Sequence, residues 1–161
     1  SAMGKYPVEA VGMLSKIAAA IEPHRPNHYV REALTAFEHN DKIHPTDLIA
    51  LSVERILEHV SPAAVIVPTH SGASARGITR FRLPVWIVGV SSQENTCQRL
   101  QFSYGVCPVH EPDHPDNWNA FAKEWLQAQG LEGEIVVLTE GPSKKHPEAN
   151  NRMEIIDLTR E

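Results

Sequence analysis

Four short apolar runs separated by helical segments constrain this chain more than any other feature of its sequence. They are Ala63-Ala64-Val65-Ile66-Val67, Val85-Trp86-Ile87-Val88-Gly89-Val90, Val106-Cys107-Pro108-Val109 and Glu134-Ile135-Val136-Val137-Leu138. They run apolar without the regular alternation of a one-sided strand, so both faces of each strand must be covered. Between them lie segments with helical spacing at 72–82, 93–102 and 116–129, the last carrying Trp118, Phe121, Ala122, Trp125 and Leu126 on one face. Strands of this kind alternating with helices form a mainly parallel sheet sandwiched between helix layers. A further apolar stretch, 153–158, follows a long polar segment from Thr139 to Asn151 that holds no helix. A parallel return needs a crossover, so this last strand is expected to run antiparallel to its predecessor. The expected fold is an α/β three-layer sandwich on a five-stranded, mostly parallel sheet with its last strand antiparallel.

The N-terminal part is helical. Tyr6 to Ile21 places Val8, Val11, Leu14, Ala18 and Ile21 on one stripe, with Pro7 in the first turn where proline is tolerated. Two prolines, Pro23 and Pro26, break the pattern. A short helix over 29–37 and a turn at Asn40-Asp41-Lys42 follow. A second strong helix is expected from Pro45 or Thr46 to His59; Leu48, Ile49, Leu51, Val53, Ile56, Leu57 and Val60 leave it few polar faces, which implies burial on more than one side. Residues 1–3 read as a cloning remnant, 4–22 as a separate helix, 23–44 as a linker with a short helix, and 45–161 as the α/β domain.

A chain of 161 residues suits one domain and can bury a core without disulfides or metals. Its net charge of −5 argues against nucleic acid or an acidic membrane as a partner. No apolar run approaches the roughly 20 residues that span a bilayer, and no signal peptide is visible, so a cytoplasmic protein is expected. Cys97 and Cys107 read as free, mostly buried thiols with no activating base nearby.

Ligands of open α/β sheets sit beyond the carboxyl ends of the parallel strands. The segment Thr69-His70-Ser71-Gly72-Ala73-Ser74 leaves such an end and opens a helix. Thr69, Ser71 and Ser74 offer hydroxyls, Gly72 lets backbone approach a ligand, and the helix start offers amide donors and a positive dipole end. That combination suits an anion such as phosphate; a plain helix start capped by Ser71 is the alternative. The turn lacks the Gly-Lys-[Ser/Thr] of a nucleotide P-loop. A second loop, Thr139 to Pro147, carries Gly141, Lys144 and Lys145, whose two ammonium groups could meet a second phosphate; a solvated loop is the alternative. His110-Glu111-Pro112-Asp113-His114 is dense in metal-ligating types, but its prolines prevent a helical His-x-x-x-His face and no metal site is expected. No nucleophile with its base, and hence no catalytic set, can be picked out.

The chain resembles the pyruvate kinases along essentially its whole length. Gly4-Lys5-Tyr6-Pro7-Val8-Glu9-Ala10-Val11 is similar to the start of that family's last barrel helix. Thr69-His70-Ser71-Gly72-Ala73-Ser74-Ala75-Arg76, with Arg80-Phe81-Arg82-Leu83-Pro84 behind it, resembles its effector-loop region. Tyr104-Gly105-Val106 and Pro108 fit the next strand, and Asn150-Asn151-Arg152-Met153 resembles the Thr-Asn-x-Met pattern that opens the last one. The resemblance implies a C-terminal regulatory domain that binds a phosphorylated effector and helps assemble a homotetramer. It implies that Thr69, Ser71, Gly72 and Ser74 cradle the effector phosphate, with His70 at a variable position and Ala73 between them. It also implies that phosphate transfer from phosphoenolpyruvate to ADP, with its magnesium and potassium, belongs to a barrel outside this chain, which carries no catalytic residue or cofactor of its own. The sequence departs from the family at Ala149, where a glycine is usual, and offers no clear counterpart of the tryptophan and arginine that grip fructose 1,6-bisphosphate in eukaryotic members. A sugar monophosphate or AMP therefore stands beside the bisphosphate as candidate effector. A structural assembly module without a used effector site, and a self-standing small phosphate-binding enzyme, remain the alternatives.

Overall fold

The computed structural model describes residues 4–24, 44–142 and 150–160. Helix α1 spans Pro7–Ile21 and ends in a single 3-10 turn, Glu22–His24. Helix α2, Pro45–Leu57, precedes an alternating series: β1 Ala64–Pro68, α3 Ala73–Thr79, β2 Trp86–Ser91, α4 Glu94–Leu100, β3 Val106–His110, α5 Trp118–Gln129 and β4 Ile135–Glu140. Strand β5, Arg152–Asp157, closes the sheet. The strand order is β3-β2-β1-β4-β5. Strands β3, β2, β1 and β4 are parallel; β5 is antiparallel to β4, with Ile135 opposite Asp157 and Glu140 opposite Arg152. The expected sheet, including the direction of its last strand, is therefore the observed one.

Alternation along the strands builds two cores. Val65 and Val67 of β1 and Val137 of β4 face α2, α3 and α4, where they pack with Ala50, Val53, Ala75, Ile78 and Leu100. Ala64 and Ile66 of β1, with Val136 and Leu138 of β4, face α5 and meet Ala122, Trp125 and Leu126. Asn117 caps α5 by accepting from the Ala120 amide at 3.0 Å, and Gly130 ends it.

Three helices differ from their expected form. α2 is buried along one side only: Ala50 and Val53 face the core while Leu48 is 49% exposed. Its many aliphatic residues spread around the helix, but only one sheet face is there to receive them. α3 ends at Thr79 rather than at residue 82. Phe81 and Leu83 must both turn inward to join the core, and the chain leaves the helical path through bonds from Phe81 N to Ile78 O and Arg82 N to Thr79 O, with Arg82 at φ +48. α4 likewise stops at Leu100, short of residue 102, and Phe102 is 94% exposed. α1 has the expected extent but buries none of its residues, so Val8, Val11, Leu14 and Ile21 are exposed. The expected helix over 29–37 and the turn at 40–42 lie outside the described residues. Among the described residues no helix is long and apolar enough to cross a membrane.

Candidate functional site

The turn after β1 is held from three sides. Thr69 N donates to Val90 O of β2 at 2.8 Å, and the Thr69 hydroxyl accepts from Gly72 N at 2.9 Å. Thr96 of α4 donates through Oγ1 to His70 O at 2.8 Å. Gly72 is buried at φ +79, a backbone state that costs an L-residue strain. A Cβ there would lie 2.6 Å from Arg76 Nη1 and 3.0 Å from Leu100 Cδ2. The glycine is thus required both by its torsion and by the close approach of α4. Ser71 is not the helix cap: Gly72 holds the cap position with no side-chain bond, Thr69 closes the turn instead, and the Ser71 hydroxyl stands a long 3.4 Å from Ala73 N. His70, Ser71 and Ala73 are exposed and Ser74 is half-buried. The first helical bond runs from Arg76 N to Gly72 O, which leaves the Ser74 amide among the unspent donors of the helix start.

Arg76 lies over this turn, donating from Nη2 to Ser71 O at 3.0 Å. Arg55, Arg80, Arg152 and Arg160 each pair with a carboxylate, and Arg82 sits 4.9 Å from the centre of the Tyr104 ring. Arg76 has no carboxylate partner among the described residues, so its charge is available at the mouth of the turn.

A cleft opens beside the turn, lined by Thr46, Ile49, Ser74, Ile78, Thr139, Glu140, Gly141 and Asn151. The topology explains its place. β1 leads into α3 on one face of the sheet, whereas the chain reaches neighbouring β4 from α5 on the other, and such a switch leaves a crevice at the strands' carboxyl ends. Ser74 and Gly141, expected on two separate loops, come together here. Lys144 and Lys145 lie outside the described residues. Thr139 is 3% exposed and, among the described residues, its Oγ1 has no hydrogen-bond partner. Its neighbour Leu138 faces α5, so alternation turns Thr139 toward the α2 and α3 side, where Ser74 and Thr46 stand. Sequence reasoning passed over Thr139, although a lone hydroxyl ending the run Ile135–Leu138 was a usable signal.

Glu140, one residue on, faces the other way. Its Oε1 accepts from Trp118 Nε1 at 3.1 Å and its Oε2 from Arg152 Nε at 2.5 Å, with Arg152 Nη2 on the same oxygen. His114 Nε2 lies 3.4 Å from Oε1, and its ring meets Trp118 edge-on at 5.0 Å. The dense histidine segment therefore supplies a neighbour for a carboxylate. Trp125 packs in the core as its spacing implied, and Trp118 packs against the edge of the same core while its indole N–H joins this cluster. Both cysteines are free; burial raises the thiol pKa of each, with Glu94 adding to the effect at Cys97.

A parallel sheet with one antiparallel edge, a hydroxyl-bearing turn at its carboxyl end and a polar cleft at the strand-order switch define an α/β domain of the open, doubly covered kind. Residues 47–156 match the family described as the pyruvate kinase alpha/beta domain, and the chain belongs to that family. It is 31% identical to a pyruvate kinase of Thermococcus litoralis over 98% of its length, and 30% identical to one of Methylorubrum extorquens over all of it; in both cases it covers 34% of the relative. It superposes on a pyruvate kinase of Cryptosporidium parvum solved in complex with ADP, with a TM-score of 0.75 at 19% identity, over 96% of this chain and 32% of that one. The chain thus spans about a third of the length of these relatives.

Proposed function

We propose that this chain is the regulatory domain of a pyruvate kinase and binds a phosphorylated effector, a sugar phosphate or AMP, in the cleft between the Thr69–Ser74 turn and the end of β4. The observation that carries this reading is the unpartnered Oγ1 of Thr139, a 97%-buried residue lining the same cleft as Ser74. A buried hydroxyl left without a partner costs free energy, and a ligand oxygen would supply one. The phosphate would take the Ser74 amide and hydroxyl with the Arg76 guanidinium, as charge-assisted bonds to an anion. Transfer of phosphate between phosphoenolpyruvate and ADP, with magnesium and potassium, would fall to a barrel elsewhere in the enzyme. The domain would act by binding effector more tightly in one quaternary state of a tetramer than in another, a coupling of about 1–3 kcal/mol.

Titration calorimetry against ribose 5-phosphate, glucose 6-phosphate, fructose 1,6-bisphosphate and AMP tests this. Saturable binding of at least one, lost in Ser74→Ala and weakened in Arg76→Gln, is the expected outcome. Silence from all four leaves a structural module. That second reading draws on β5, an edge strand whose Ile155 is 51% exposed and could pair with a second copy. Concentration-dependent dimerisation in light scattering, without any phosphate binding, would favour it.

A further inference from the structure

We propose that Glu140 is a positioning residue of the cleft: from the far face of the sheet it fixes the two strand ends that carry Thr139, Gly141 and Asn151, the wall facing the Thr69–Ser74 turn. The inference rests on the reading of that cleft as the effector site. Alternation divides the ends of β4 and β5 between the two faces of the sheet. Val136 and Leu138 face α5, and Glu140 continues their side; Ile156 faces α5 too, and Arg152 lies four residues before it. Thr139, Gly141 and Asn151 take the other side and line the cleft.

Glu140 and Arg152 form the last rung between the two strands, opposite each other where β4 ends and β5 begins. Apolar burial does little to fix the register there. β5 is an edge strand, bonded to β4 alone, and Ile156 is its one buried residue. A strand so thinly covered holds its register weakly. Polar contacts pin it instead. Glu140 Oε2 accepts from Arg152 Nε at 2.5 Å and from Nη2, and Oε1 accepts from Trp118 Nε1 at 3.1 Å. Trp118 is held edge-on by the rings of His114 and Phe121, at 5.0 and 5.4 Å. The carboxylate thus ties both strand ends to the start of α5. On the cleft side, Asn151 closes over Gly141, where a Cβ would lie 2.7 Å from Asn151 Oδ1. Asn151 brings an amide donor and a carbonyl acceptor, and Thr139 a hydroxyl, to the part of a ligand beyond its phosphate. With the tether cut, binding must first order this wall, which for one or two immobilised side chains lowers affinity about tenfold.

The test is titration calorimetry of the whole chain, well below its melting temperature, with ribose 5-phosphate, glucose 6-phosphate, fructose 1,6-bisphosphate, AMP and inorganic phosphate. Glu140→Ala and Arg152→Met are each expected to weaken the organic phosphate that the wild type binds by about tenfold. Inorganic phosphate needs only the turn and is expected to weaken less than about twofold. Trp118→Phe keeps a ring and loses the N–H, and is expected to cost about threefold. Glu140→Lys combined with Arg152→Glu rebuilds the cross-strand pair and is expected to return affinity to within about threefold of wild type, a rescue that general damage to the domain would not give. Organic-phosphate affinity within about twofold of wild type in both single variants, an equal fall for inorganic phosphate, or a double variant no better than the single ones overturns the inference while leaving the phosphate site standing. Absence of binding of every organic phosphate by the wild type overturns the effector reading itself, and this inference with it.

Discussion

Replacing Gly72 by alanine separates the two reasons a glycine stands there. The backbone at φ +79 costs an L-residue about 1–2 kcal/mol. The stiffer unfolded chain returns about 0.4–1 kcal/mol of that. The new methyl would also sit 3.0 Å from Leu100 Cδ2 and 3.3 Å from Leu100 Cγ. Leu100 is fully buried, in the core beneath α3 and α4, so its side chain has nowhere to go; a forced methyl in a packed core costs about 1–3 kcal/mol. The Arg76 contact adds little, since the end of a flexible side chain moves away. Gly72→Ala is therefore expected to lose about 2–4 kcal/mol. Gly105 supplies the control: its φ is +65, but a Cβ there meets nothing within 4 Å. Gly105→Ala is expected to lose about 1 kcal/mol or less, through the backbone alone. Urea unfolding followed by circular dichroism reads both, and a difference of 2 kcal/mol moves the midpoint by about 1 M. Equal midpoints for the two variants would refute the packing argument and show that Leu100 yields freely.

Three further outcomes follow from named contacts. Thr139→Val keeps the shape and removes the unpartnered hydroxyl, so the free domain is expected to be unchanged or stabilised by up to about 1 kcal/mol while effector affinity falls; a marked loss of stability in urea would mean that the hydroxyl has a partner. Burial raises the thiol pKa of Cys97 and Cys107, so in the folded protein both are expected to react slowly with a thiol reagent at neutral pH and rapidly once denatured; the same shift makes stability constant below the ordinary thiol pKa of about 8.5 and decreasing as pH rises through it, as a pH series of melts would show. Removing residues 1–24 takes away a helix that buries nothing, and is expected to change unfolding free energy by less than about 0.5 kcal/mol; a drop of several degrees in the melting midpoint would contradict this.

The sheet was legible because its signal is local. Runs such as Ala64–Val67 and Ile135–Leu138 mark strands covered on both faces, and the helix-free interval before Arg152 marks an antiparallel return. Helix ends were less legible where tertiary packing overrode periodicity: the pattern continues to Arg82, yet Phe81 and Leu83 reach the core only if the helix stops at Thr79. The same held for α2, whose aliphatic residues outnumber the neighbours available to cover them. Of the candidate site, the turn announced itself through glycine and hydroxyls. The remainder is assembled across the chain. Thr96 reaches His70 over 26 positions, and Trp118 reaches Glu140 over 22. Arg76 looks like any surface arginine until its neighbours show that it alone, among those named above, bonds to this turn without a carboxylate or ring partner.

The glycine turn and the connection between β4 and β5 differ in how freely each can change. The turn is wedged between Leu100, Thr96 and Val90, and an added atom or residue there disturbs the core and the sheet together. The stretch from Gly141 to Asn151 joins two antiparallel neighbours end to end, so its length enters neither the register nor the packing of the strands it links. Doubling such a loop costs only about 0.6 kcal/mol. A domain arranged this way can hold the Thr69–Ser74 turn fixed through long divergence while the connection between β4 and β5 varies in length and composition without rebuilding the framework.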